Sequence, residues 1–146
     1  MKKLLLILIC LFVSFEVKSD KTVLIHEWVL IKKTDKKGNI LKDTYLDIKN
    51  IKYESGFVYY WVLEDLKNPS MGFNSVIINH KGDCNEMIDT QLSFTFNKGK
   101  MGKEPFHKII EEDKFVSLPI DSKGFVMLKR VCYLGKNMIN LETLNN

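Results

Sequence analysis

The sequence predicts an α+β domain: an antiparallel β-sheet covered by a single C-terminal helix. Three observations predict it. Runs rich in β-branched and aromatic residues, separated by turn residues, occupy most of the chain from Thr22 to Pro119. The apolar spacing then changes, and Phe125, Leu128, Val131 and Cys132 recur at offsets of three and four, one face of a helix. Two cysteines, Cys84 and Cys132, remain beyond the N-terminal leader, one at the end of a strand run and one on that helical face.

The leader sets the compartment. Lys2-Lys3 is a short basic start, Leu4 to Val13 is an unbroken apolar run, and Val17-Lys18-Ser19 resembles a signal-peptidase exit. The run is well short of the ~20 apolar residues that cross a bilayer. The expectation is therefore a signal peptide over residues 1–19, a domain over 20–134 and a C-terminal tail over 135–146, exported to a bacterial periplasm or cell surface. Cys10 lies inside the apolar run behind Ile9, not after a small residue at its end, so a lipoprotein is not expected.

Removing Lys2, Lys3, Lys18 and Glu16 leaves 19 basic against 17 acidic residues, a net charge of +2. The lysines are spread along the chain, which excludes an electrostatic nucleic-acid or anionic-membrane binder. In an oxidising compartment, Cys84 and Cys132 without CxxC spacing read first as a structural disulfide; two free buried thiols are the alternative.

The elements follow in order. Thr22–Ile31 reads as a strand, and Lys32–Lys42, with Lys37-Gly38-Asn39, as an exposed charged turn. Thr44, Leu46 and Ile48 alternate with Tyr45 and Asp47, a half-buried strand. After the Ser55-Gly56 turn, Phe57–Leu63 is apolar on both faces and is expected to be central. Asn68-Pro69-Ser70 and Gly72 break the chain, and Ser75–Asn79 begins a strand that reaches Cys84. Leu92, Phe94 and Phe96 alternate with Ser93, Thr95 and Asn97, a strand with its apolar face inward. Gly99–Pro105 reads as a polar surface loop, and Phe115, Val116 and Leu118 as a short apolar segment ending at Pro119. The helix should start at Asp121 or Ser122, carry Lys129-Arg130 near its end and stop at Gly135. A Cys84–Cys132 bond would then staple it onto the sheet.

Chemical constellations are few. His26, His80 and His107 are the only imidazoles. His80, Asp83 and Cys84 suggest a Cys-His-Asp hydrolase only if Cys84 is a free thiolate. A zinc site from His80, Cys84 and Cys132 needs reduced thiols and a fourth ligand. Glu64-Asp65 and Glu111-Glu112-Asp113 read as solvated loop carboxylates, and Trp28 and Trp61 as core. No phosphate-binding or haem-attachment motif occurs. The expectation is no catalytic, metal or cofactor site.

Trp28, Tyr45-Leu46-Asp47 with Ile48 or Ile51, Val58–Asp65 around Trp61, Ser75, Asp83-Cys84 and Val131-Cys132 together resemble the surface-adhesin protein E family of Gram-negative bacteria. The chain departs from that pattern at Gly82, where an aromatic often precedes Asp-Cys, and at Phe115, where a tryptophan is usual. The resemblance implies a six-stranded antiparallel sheet with the C-terminal helix tied by a disulfide to its concave face. It also implies an adhesin of host matrix and serum proteins, though only Cys84 and Cys132 carry over as site residues. The expected function is a non-enzymatic binding or adhesion module presenting strand edges and loops to a protein partner in the envelope or extracellular matrix, with a homodimer left open. The alternative is a periplasmic ligand carrier or enzyme using the cleft between sheet and helix.

Overall fold

The computed structural model describes residues 24–32, 42–68 and 72–144. The leader, the Lys37-Gly38-Asn39 turn and the break at 69–71 lie outside them. Seven antiparallel strands form one sheet: β1 (Trp28–Lys32), β2 (Lys42–Asp47), β3 (Lys52–Glu54), β4 (Phe57–Leu66), β5 (Ser75–Asp83), β6 (Ile88–Asn97) and β7 (Pro105–Ser117). One helix, α1 (Lys123–Leu144), follows. The sheet order is β1-β2-β4-β5-β6-β7, with β3 on β4.

The seventh strand is a lane shared rather than a lane added. β2 pairs with Val62–Leu66 of β4 and β3 with Phe57–Tyr59 of the same strand, so the two follow one another along β4. The chain leaves the lane between them because Asp47 turns its carboxylate back on Lys49 N (3.1 Å) and Asn50 Nδ2 (2.6 Å). β3 then enters β4 through Ser55 (φ 51°) and Gly56 (φ 89°), the doubly left-handed pair of a tight hairpin. β4 is central; Val58, Tyr60 and Val62 are buried under the helix, whereas Phe57, Tyr59 and Trp61 on the opposite face are half-buried, so the run is apolar on both faces but fully covered on one.

Alternation along the strands sends Leu46, Val58, Tyr60 and Val62 to one face, where they meet Leu128, Val131 and Cys132 of α1. The Cys84–Cys132 disulfide closes that contact, its Cα atoms 5.8 Å apart. Gly82 lies under the helix, where a Cβ would come within 2.1 Å of Leu128 Cδ1, which accounts for a glycine at this position.

Several expectations are corrected. The N-terminal strand begins at Trp28, and residues 24–27 are irregular. The helix does not stop at Gly135 but continues to Leu144, so residues 135–144 are helix and Lys129-Arg130 sit in its first half. Gly135 is buried because its missing side chain lets the helix approach β3 and β4; a Cβ there would lie 3.1 Å from Tyr53 and 3.3 Å from Val58. Ser122 caps the start, its Oγ accepting from Phe125 N at 3.2 Å.

Residues 105–117 form one thirteen-residue strand instead of a short segment near Phe115. Glu111-Glu112-Asp113 are inside it, since an edge strand tolerates charge that a central strand would exclude. Glu64 and Asp65 likewise belong to β4; Glu64 pairs with Lys42 Nζ at 2.5 Å, and Asp65 is buried. On β6, Leu92, Phe94 and Phe96 are only half-buried, whereas Thr90, Ser93 and Asn97 are buried. The helix packs mainly over β3 and β4.

Candidate functional site

The residues singled out for chemistry are placed apart from one another. His80 turns to Asp89, its Nδ1 2.8 Å from Oδ2, while Tyr60 donates its hydroxyl to Asp89 Oδ1 at 3.0 Å. The His80 ring stacks on Tyr60 with centroids 4.8 Å apart. Burial first, then the Asp89 charge and hydrogen bond, push the Tyr60 hydroxyl far above its ordinary value, so it remains a donor. Asp83 does not join this group. Its carboxylate accepts from Asn85 N (2.8 Å) and Glu86 N (3.0 Å) and shapes the β5–β6 turn.

Cys84 is in the disulfide and has no thiolate, so the Cys-His-Asp arrangement is not assembled and neither cysteine can ligate zinc. Among the described residues, no group of three or more His, Cys, Asp or Glu side chains has the arrangement to hold a metal ion. His107 lies beside Phe96, ring centroids 6.1 Å apart, away from both other histidines' carboxylates.

His26 anchors the N-terminal segment. Its Nδ1 is 2.6 Å from Asp47 Oδ2, and its ring stacks on Trp28 (4.7 Å) and meets the edge of Trp61 (5.7 Å). Glu27 N donates to Asp47 Oδ1 at 3.0 Å, and Asn50 Nδ2 reaches both Asp47 and Ile25 O. Burial alone pushes the Asp47 carboxyl up. Hydrogen bonds from Asn50, Glu27 N–H and His26, with the His26 charge, outweigh it and hold the carboxyl below its ordinary value of 3.8. Trp28 and Trp61, expected in the core, are thus half-buried packing partners of His26, and no sequence cue marked this cluster.

The loop between β6 and β7 is fastened to the sheet. Met101 N donates to Asp65 Oδ1 (2.9 Å), Gly102 N to Ser75 Oγ (3.0 Å), and Ser75 Oγ to Gly99 O (2.7 Å). Lys100 Nζ reaches Leu66 O. A Cβ at Gly102 would sit 2.7 Å from Ile77 Cδ1, so this loop lies against the sheet rather than projecting from it.

Between α1 and the β1–β2 end of the sheet, the helix stands off and leaves an open cleft of about 440 Å³. Ile31, Leu46, Val126 and Met127 form its apolar wall, and the Lys42–Glu64 pair lies at its margin. Such a volume is in the range of small-molecule sites, about 300–1,000 Å³. The sequence pointed to a cleft between sheet and helix but not to its place or lining, which depend on how the helix tilts over the sheet.

The model of the surface-adhesin protein E family matches residues 28–133. Among solved structures, one of Haemophilus influenzae protein E is similar with TM-score 0.54 at 18% identity, covering 79% of this chain and 91% of that one. Its crystal form II gives TM-score 0.51 at 16% identity, over 72% of this chain and 96% of that one. No curated protein matches this chain significantly.

Proposed function

The chain belongs to the surface-adhesin protein E family, and on that premise we propose that it is an exported binding module of the bacterial envelope that works without catalysis. The leader over residues 1–19, removed before Asp20, and a Cys10 free of lipid are part of this reading. Among the described residues no helix is long and apolar enough to cross a membrane.

The observation that carries the proposal is the β7 edge. β7 ends the sheet order, so one side of a thirteen-residue strand has no strand partner among the described residues. Phe106 and Ile110 on it are 48% and 74% exposed. An edge of this kind binds by accepting an extended partner segment: main-chain hydrogen bonds supply affinity and exposed apolar side chains supply contact. The β6–β7 loop is a poorer candidate, since its backbone donors are spent on Asp65 and Ser75. Oxidation of Cys84 removes the thiol on which the hydrolase alternative depends.

The test is capture of envelope fractions and purified matrix proteins by the protein, followed by affinity measurement for whatever is captured. Phe106→Lys with Ile110→Lys should weaken binding by about tenfold or more while leaving the melting temperature within a few degrees. Unchanged affinity would remove the β7 edge from the mechanism. Hydrolytic turnover lost on His80→Ala would overturn the non-catalytic reading itself.

A further inference from the structure

We infer that the cleft between α1 and the β1–β2 end of the sheet is a binding site for a fatty-acid anion, one acyl chain carrying one carboxylate. The site adds a small-molecule function to the module and does not depend on which macromolecule the β7 edge meets.

The argument starts from the wall. Ile31, Leu46, Val126 and Met127 line the cleft from both layers, the sheet below and the helix above. Val126 is 58% exposed although it faces apolar neighbours, because the helix and sheet do not close on one another there. Leu46 is buried at the back of the cleft, while Val126, Ile31 and Met127 stay partly open to water and offer apolar surface that an acyl chain can cover favourably. Met127 contributes an unbranched, adaptable side chain that can follow a flexible chain. The volume, about 440 Å³, suits one acyl chain rather than the paired chains of a bilayer phospholipid.

Charge selects the head group. Among the described residues, Lys32, Lys42, Lys123 and Arg130 border the cleft with Glu64 and Asp121, and Lys123 and Arg130 are the cations that bear on the head group. Lys42 is engaged with Glu64 at 2.5 Å. Lys123 and Arg130 stand two turns apart on the helix, both on the side that borders the cleft and both exposed. Arg130 can meet a carboxylate with two parallel N–H donors, a geometry an ammonium cannot supply. The resulting site has an apolar interior and a basic rim, complementary to an amphipathic anion and hostile to a cation of the same chain length.

Calorimetric titration of the purified protein with dodecanoate, dodecyltrimethylammonium and a single-chain lysophosphatidylglycerol tests this. Dodecanoate should bind one to one and at least about tenfold more tightly than the ammonium, with the lysolipid weaker than dodecanoate. Lys123→Glu with Arg130→Glu should weaken dodecanoate by about tenfold with an unchanged melting temperature. Val126→Trp, at an exposed position, should fill the cleft and abolish binding while circular dichroism stays that of the parent. Equal binding of the ammonium, tighter binding of the lysolipid, binding undiminished by Val126→Trp, or no binding of dodecanoate would each overturn the proposal.

Discussion

Leu128 occupies the space that a side chain at Gly82 would need: a Cβ at position 82 would lie 2.1 Å from Leu128 Cδ1 and 3.2 Å from Val58 Cγ1. The helix therefore rests on the backbone of β5 rather than on a side chain, and Leu128 is fully buried there. Gly82→Phe would have to lift the helix away. It should destabilise the domain by about 1–3 kcal/mol, the usual range for overpacking, or more if the disulfide prevents the helix from yielding. Chemical denaturation of the variant against the parent measures this; an unchanged midpoint would mean the helix docks more loosely than described.

The Cys84–Cys132 bond closes a loop of 48 residues. On the chain-entropy account, a loop of that length stabilises by about 4 kcal/mol, and losses of about 2–5 are typical when such a bond is removed. Cys84→Ser with Cys132→Ser should melt well below the parent. α1, with 22 residues, exceeds the roughly 12–15 at which isolated helices become marginal, so its helical signal should largely persist in the variant. Non-reducing peptide mapping should find the two cysteine peptides joined within one chain, and ready alkylation of both thiols in the native protein would refute the bond.

Asp47 makes the fold sensitive to acid. Its carboxyl is held below 3.8 in the folded chain, so the stability it contributes is present above that value and is lost as pH falls through the lower folded value. From about pH 4 downward the parent should lose stability more steeply than Asp47→Asn, which has no charge to neutralise. Parallel melting curves for the two proteins over that interval would show that another carboxylate governs the acid limb.

Export should remove the leader. Intact mass of the protein recovered from an exporting cell should correspond to Asp20–Asn146, without a lipid. Retention of Met1–Ser19, or an acyl addition at Cys10, would contradict the maturation proposed here.

The sheet was legible wherever burial forces a pattern. Phe57–Leu63 announced a central strand because so long an apolar run needs neighbours on both sides, although Phe57, Tyr59 and Trp61 stay half-buried on the face away from α1, and Leu46 and Val58 marked the helix-facing side by alternation. β7 was hidden because an edge strand answers to no such pattern: Lys108 and Glu111-Glu112-Asp113 are as acceptable there as in a loop. Gly135 misled for a different reason. A glycine in a helix is usually a stop, yet here it is the point of closest approach to Tyr53, and close packing outweighs the roughly 1 kcal/mol that glycine costs relative to alanine. Cys84, Cys132 and the Ser122 cap could be read because each acts through one local chemistry. The His80–Asp89–Tyr60 group and the lining of the sheet–helix cleft could not, since both depend on strand register or helix tilt, which no short stretch of sequence encodes.

The strand order carries a consequence for assembly. Every lane of the sheet lies beside a lane made by the neighbouring part of the chain, from β1 against β2 through β6 against β7, with no strand inserted from a distance. A chain emerging from its N-terminus can therefore zip the sheet hairpin by hairpin, paying only short loop closures. Cys132 arrives after all seven strands, so the covalent bond can only lock a helix onto a sheet already laid down. During synthesis the sheet can therefore form before oxidation, and what the bond then adds is resistance to the helix peeling away afterwards.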